Sequence, residues 1–338
     1  MNKHNIILVG CGSMANVWLD YVETKANATI VGLVDISEQA AQSLATRRQI
    51  NAPIFTDLSE ALNTLEVDIV FDVTIPESHH DVVTTALKAG CHVFGEKPMA
   101  ESLDEAKDIL DVVKETGKTY SVMQNRRFIK PIRSIRHFLD TGKIGTVGSI
   151  HANFFLGPHF GGFREAMAHP LIVDMAIHTF DQARYMIASD PVSVYCHAYN
   201  PPWSWYDGQA SAICIFEMQN GVTFTYNGSW CAKGLNTSWE SEWRITGSEG
   251  SVTWDGHDNL KCEAVDSTKE AGFISPIKDI AIPNVWKHQE EHFGCLDNMF
   301  AAIESKQKAE TDSSDNIHSM AMVFAAIKSA KTGQKIYI

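Results

Sequence analysis

The chain has 338 residues, 44% of them hydrophobic and 20% charged, which suits two globular domains rather than one core or a disordered segment. A formal charge of −13 argues against nucleic acid or an anionic membrane as the main partner. The seven cysteines are scattered and form no CxxC pair, so reduced thiols are expected rather than a disulfide framework or a zinc ribbon. The first residues run straight into a strand pattern without signal-peptide anatomy, and no uncharged apolar run reaches the ~18 residues of a membrane span. A cytoplasmic location is the expectation.

Residues 6–9 (IILV) form a short apolar run of buried-strand type, followed at once by GCGSMA and a helical pattern through Trp18, Leu19 and Val22. This is the G-x-G-x-x-A dinucleotide fingerprint in its required place, after a strand and before a helix. Gly10 makes the tight turn, Gly12 lets the backbone approach a pyrophosphate, and Ala15 is small enough for helix–strand contact. Ser13 and Met14 complete the loop at the helix N-terminus, whose free N–H groups suit phosphates. A second strand, residues 29–35, ends in Asp35. A carboxylate there accepts hydrogen bonds from ribose hydroxyls and repels a 2′-phosphate, so NAD is expected over NADP. Asp35 also reads as a helix N-cap, and the two roles are compatible.

Helical patterns at 38–50, 58–65, 78–89 and 103–116 alternate with strand patterns at 53–55, 67–74, 91–94 and 119–122. Such alternation implies a doubly wound parallel sheet with ligands beyond the carboxyl ends of its strands. Two strand ends carry polar groups: Thr74 to His79, and Glu96-Lys97-Pro98. Lys97 is placed either to approach a nicotinamide or to be a solvated loop lysine. Pro98 keeps it out of helical geometry and permits a cis bond.

The texture changes after Gly145. Strand patterns occupy 147–155, 192–199, 210–218, 222–230, 239–247, 251–254 and 260–265, with a hairpin signal at Gln219-Asn220-Gly221. Helices are expected at 289–303 and 317–330, and a last strand at 336–338. The fold class is therefore an α/β Rossmann domain at residues 1–122, followed by an α+β domain at 123–338 with a large, mostly antiparallel, open-faced sheet. Apolar residues on both alternations of that sheet point to a homodimer or homotetramer.

One helix, residues 171–186, is apolar almost all round, yet at about 100° per residue Asp174, His178, Asp181 and Tyr185 fall on one line. That line either borders a cavity or forms a satisfied internal network. HQEEH at 288–292 matches an inverted zinc-protease pattern but also reads as the exposed start of an amphipathic helix, and no metal site is expected. Trp203, Trp205, Trp230 and Trp239 could stack on sugars, although core or interface packing is the commoner fate of a tryptophan.

With GCGSMA, the acid after the second strand, TIPESHH, GEKP and DMAIH in order, the chain resembles the Gfo/Idh/MocA oxidoreductases, whose pattern runs T-P-x-x-x-H, E-K-P and D-x-x-x-H. QNRRF at 124–128 is similar to the family's link into its second domain, and TGKIG at 141–145 to the opening of its large sheet. Ile75 stands where the family usually has proline, and residues 157–170 fall in a stretch that differs among branches. The resemblance implies Lys97, Asp174 and His178 as the catalytic set. It places Gly10, Gly12, Ser13, Met14, Asp35, Thr74, Pro76, His79, Glu96, Lys97 and Gln124 on the cofactor side. Arg127 joins Lys97, Asp174 and His178 on the substrate side, while Asp181 and Tyr185 become structural. The implied activity is NAD(P)-dependent hydride transfer at a secondary alcohol of a sugar, polyol or inositol-like substrate. The rivals are an NAD-dependent redox-cycling glycoside hydrolase and a non-catalytic NAD(P)-binding regulator.

Overall fold

A computed structural model describes residues 3–338, and the chain divides into two compact units: Met1–Asn125 with Gln289–Ile317, and Arg126–His288 with His318–Ile338. The first unit alternates β1 (His4–Val9), α1 (Ala15–Glu23), β2 (Ala28–Val34), α2 (Glu38–Arg48), β3 (Ile54–Phe55), α3 (Leu58–Thr64), β4 (Ile69–Asp72), α4 (Pro76–Lys88), β5 (His92–Gly95), α5 (Leu103–Thr116) and β6 (Tyr120–Val122). All strand pairs are parallel, in the order β3-β2-β1-β4-β5-β6. The order reverses between β1 and β4, which opens a crevice beyond their carboxyl ends. Local chemistry sets the boundaries. Ser37, Asp57 and Ser102 accept the N–H three residues on and start α2, α3 and α5. Pro76 occupies the first turn of α4, where its missing N–H costs nothing, so that helix begins two residues before the expected Ser78.

The contiguous division at residue 122 assigns 289–317 to the second domain, but these residues pack in the first unit. The reason is aromatic. Phe300 of the helix at Glu291–Ser305 meets His4, Tyr21, Phe71 and Phe94 at ring separations of 5.2–6.2 Å. Asp297 of the same helix accepts hydrogen bonds from Tyr21 and Lys25.

The second unit begins with α6 (Lys130–Asp140), where Ile132, Ile135 and Phe138 fall on one buried face. This helix lies between the expected link at 124–128 and the expected sheet opening at 141–145, in a stretch to which no element was assigned because basic residues interrupt its apolar stripe. β7 (Val147–Phe155), α7 (Phe163–Ala166) and α8 (Ile177–Ile187) follow. The next strands are β8 (Pro191–Tyr199), β9 (Ser211–Met218), β10 (Thr223–Ser229), β11 (Glu242–Gly247), β12 (Gly250–Trp254), β13 (Leu260–Val265) and β14 (Ile277–Asp279). The helix at Glu291–Ser305 is α9, and α10 (Ser313–Thr332) and β15 (Ile336–Tyr337) end the chain. The sheet order is β14-β13-β12-β11-β7-β10-β9-β8-β15, antiparallel except for β7 with β10. Trp239 lies in the loop before β11 rather than in the strand that residues 239–247 were expected to form. One sheet face buries Phe216, Phe224 and Ile245 against Phe180, Ile132 and Met322 of α8, α6 and α10. On the opposite face Tyr195, Ile213 and Ile215 stay exposed.

Residues 171–186 are not one α-helix. Leu171–Ala176 is a wider π-helical segment, and the α-helix proper starts at Ile177. A constant 100° step therefore does not carry Asp174 onto the line of His178, Asp181 and Tyr185.

Candidate active site

In the first unit the fingerprint loop has the geometry its glycines require. Gly10 has φ +92°, and a Cβ there would lie 2.5 Å from the Val73 carbonyl oxygen, so the position admits no side chain. A Cβ on Gly12 would meet nothing within 4 Å, so the backbone here is open to close approach by a ligand. Met14 is the N-cap of α1; no side chain caps this helix and its first turn holds no acid. An uncapped helix start behind an open glycine is the chemistry a pyrophosphate uses, and these residues fit a dinucleotide. Ser13 accepts from Asn16 on the same turn.

Asp35 stands just past β2 and is tied to this loop. The Cys11 N–H donates to its Oδ2 at 2.7 Å and the Ser37 N–H to its Oδ1 at 2.8 Å. Two fixed donors orient the carboxylate and leave lone pairs for ribose hydroxyls. Burial, then the neighbouring Asp35 charge, pushes the Cys11 thiol up to about 12.

Beyond β4, a buried triad shapes the next loop. Asp72 accepts from the Thr74 hydroxyl at 2.5 Å, the Thr74 N–H at 3.2 Å and His79 Nδ1 at 2.8 Å. Asp72 and His79 are both fully inaccessible. Burial pulls the His79 pKa down, but the attraction and hydrogen bond of Asp72, with help from Glu96 and Glu77, outweigh it and the net direction is up. Thr74 and His79, expected on the cofactor side, thus turn a hydroxyl and Nδ1 to Asp72 and hold the loop that leads to Pro76, while His79 Nε2 is buried with no hydrogen-bond partner among the described residues. Asp72 escaped notice in the sequence, although a carboxylate in a buried strand was a readable sign of such a network.

Past β5, Glu96 accepts the Trp18 indole N–H at 2.8 Å, which ties the strand end to α1. Lys97 follows, half-buried, and the Lys97–Pro98 bond is cis. Beyond β6, Gln124 is 1% exposed, and neither end of its carboxamide has a hydrogen-bond partner among the described residues. An unpaired buried amide costs roughly 1–3 kcal/mol per group, so this side chain fits a polar ligand better than a closed core. Gly10, Asp35, Thr74, Lys97 and Gln124 all lie at the carboxyl ends of their strands.

In the second unit the polar line of the helix separates into different roles. Asp181 is buried, accepts from Arg127 Nε at 2.6 Å and Nη2 at 2.7 Å, and takes a further bond from Ser319 at 2.7 Å. Arg127, expected on the substrate side, is committed to this internal pair. The Tyr185 hydroxyl accepts from Arg133 at 2.8 Å, and the Arg133 guanidinium lies over Phe128, Tyr185 and Trp286. His178 is buried in the first turn of α8. Asp174, in the π-helical segment, accepts from Arg164 Nε at 2.7 Å. Nothing in the sequence announced Arg164, which belongs to the variable stretch at 157–170. Tyr206 stands near the same carboxylate: burial raises its hydroxyl to about 12, with the Glu165 and Asp174 charges adding to the effect.

HQEEH does not sit on one helix, because α9 begins at Glu291 and leaves His288 outside it. Among the described residues no group of three or more His, Cys, Asp or Glu side chains could hold a metal ion. Among them, too, no helix is long and apolar enough to cross a membrane.

A doubly wound sheet with a glycine-loop crevice, joined to an α+β unit built on a nine-stranded sheet, defines the class: an oxidoreductase with an NAD-binding Rossmann fold. Residues 4–124 match the family model described as "Oxidoreductase family, NAD-binding Rossmann fold", and residues 132–253 match the GFO/IDH/MocA C-terminal domain. The chain belongs to the Gfo/Idh/MocA family. It is 23% identical to the 1,5-anhydro-D-fructose reductase of Ensifer adhaerens, over 97% of this chain and 96% of that protein. It is likewise 23% identical to the inositol 2-dehydrogenase of Rhizobium meliloti, over 98% of each. The fold is that of an oxidoreductase from Agrobacterium radiobacter solved in complex with NAD+, L-tartaric acid and magnesium, with TM-score 0.87 and 20% identity over 99% of this chain and 98% of that one.

Proposed function

We propose that this protein catalyses the reversible NAD-linked oxidation of a secondary alcohol on a sugar, polyol or inositol-like substrate. The observation that carries this reading is the joint presence of an open fingerprint loop with a carboxylate at the ribose position and the Lys97, Asp174 and His178 set. The relatives named for inositol and anhydrosugar chemistry support the substrate class.

The bound dinucleotide supplies the hydride acceptor. Gly12, Ser13, Met14 and the start of α1 hold its phosphates, Asp35 binds the ribose, and Gln124 offers its carboxamide. His178 takes the hydroxyl proton, a task an imidazole nitrogen can perform as general base. The ammonium group of a lysine such as Lys97 stabilises alkoxide character on an oxygen it donates to. Asp174 holds a neighbouring hydroxyl. The second unit is the substrate and assembly domain, and a second copy of the chain covers Tyr195, Ile213 and Ile215. Light scattering of Ile215→Lys would then show a shift toward monomer.

The test is a screen of inositols, aldoses and methyl glycosides with NAD and NADP, followed by His178→Ala. The variant should lose roughly 10²–10⁴-fold in turnover with unchanged NAD binding. Undiminished turnover would remove His178 from the chemistry. Stoichiometric NADH indicates net oxidation, whereas glycoside cleavage without NADH accumulation indicates the redox-cycling alternative.

A further inference from the structure

Arg164 is delivered to Asp174 by a loop built for the purpose. Gly161 and Gly162 have φ of +66° and +64°, which turns the chain sharply before α7. The Gly161 N–H donates to Glu165 Oε1 at 2.9 Å. Two bonds then fasten the loop to the segment at 206–207: the Tyr206 hydroxyl donates to the Pro158 carbonyl at 2.9 Å, and the Asp207 N–H to the Glu165 carbonyl at 2.8 Å. The guanidinium lies against Phe160 and Phe163, 5.3 and 4.8 Å from their ring centres, which fixes its plane.

In this arrangement Arg164 spends only Nε on Asp174. Its two Nη groups make no hydrogen bond among the described residues, and the side chain keeps 37% of its surface exposed. A pair this exposed adds little to stability, so its geometry calls for another explanation. A carboxylate that accepts and a guanidinium fork that donates are held one hydrogen bond apart. Together they match two adjacent oxygens of a ligand, one hydroxyl donating to Asp174 and its neighbour accepting from an Nη group. The two charges cancel, and an anionic ligand would have to meet Asp174 or displace it.

We propose that Arg164 is a specificity-determining residue that, with Asp174, reads a neutral vicinal diol of the substrate and disfavours sugar acids. This rests on the assignment of Asp174 to the substrate side.

The experiment uses the full chain with saturating NAD and compares myo-inositol and methyl α-D-glucoside with their monodeoxy analogues and with glucuronate. The wild type should prefer the intact diol over the analogue lacking the read hydroxyl by roughly 10- to 100-fold in kcat/KM, mostly through KM, as expected for a hydrogen bond to a charged group. Arg164→Leu should bring that ratio close to one, losing far less on the deoxy analogue than on the diol. Arg164→Lys keeps the charge but not the fork and should not restore the ratio. Equal losses on both compounds would indicate mere support of the loop and overturn the proposal, as would full rescue by lysine or a wild-type preference for glucuronate. If no compound is turned over, the same ratios are read as Kd on the NADH-loaded protein by calorimetry. Preserved discrimination there upholds the Arg164 assignment while the oxidoreductase reading fails, and absence of binding by every neutral polyol overturns it.

Discussion

Arg127 and Asp181, 54 residues apart in sequence, are joined in the interior by two parallel hydrogen bonds of 2.6 and 2.7 Å. Both side chains are buried, and Ser319 satisfies a further lone pair of Asp181. A buried pair of this kind costs little more than an apolar replacement as long as it is intact, but removing Arg127 leaves the Asp181 charge only the more distant Arg184, at 3.8 Å, to offset it. Arg127→Met should therefore destabilise the protein by about 3–5 kcal/mol, and adding Asp181→Leu should recover much of the loss. Urea or thermal unfolding measures both. A single variant as stable as the wild type would contradict the pairing.

The Asp72–His79 contact makes a different, pH-dependent prediction. The folded-state pKa of His79 is raised, so the folded protein holds this proton more tightly than the unfolded chain does. The stabilisation is complete below the unfolded value of about 6.5 and disappears as pH rises through the higher folded value. His79→Asn keeps a donor for Asp72 without a titration. It should flatten this component of the Tm-against-pH curve between mildly acidic and alkaline pH. An identical slope in wild type and variant would exclude the assignment.

All seven cysteines are buried and unpaired by disulfides. Burial, and then the Asp35 charge, moves Cys11 to about 12; burial moves Cys91 to about 11 and raises Cys262, while the hydrogen bond with Cys196, and then burial, raises Cys214. At pH 8 the native protein should show slow or negligible reaction with a disulfide reagent, and all seven thiols should titrate after denaturation. Rapid modification of Cys11 without loss of structure would show that the loop opens.

Asp35 is expected to decide between the two nicotinamide dinucleotides. Asp35→Ser removes the charge that repels a 2′-phosphate and keeps a short polar side chain near the Cys11 and Ser37 amides. The NADP-to-NAD ratio of kcat/KM should rise at least about tenfold. Parallel titrations of each cofactor give the answer, and an unmoved ratio would place the ribose elsewhere.

Much of this protein was written locally. The strand–GCGSMA–helix run, the acid after β2 and the alternation through residue 122 each depend on neighbours in sequence, and the structure reproduces them within a few residues at most ends. Gly10 could be assigned a turn because only glycine tolerates its φ, a property of one residue. Tertiary structure decided whatever depended on a distant partner. Phe300 draws α9 into the first unit, because the rings that bury it are spread from His4 to Phe94. Asp174, His178, Asp181 and Tyr185 looked equivalent on a helical wheel. The π-helical segment breaks their common line, and Arg164, Arg127 and Arg133, each held on a different element, give three of those side chains separate partners. A periodicity can suggest that four polar groups share one side of a helix, but which charge meets which is fixed only when the chain has folded.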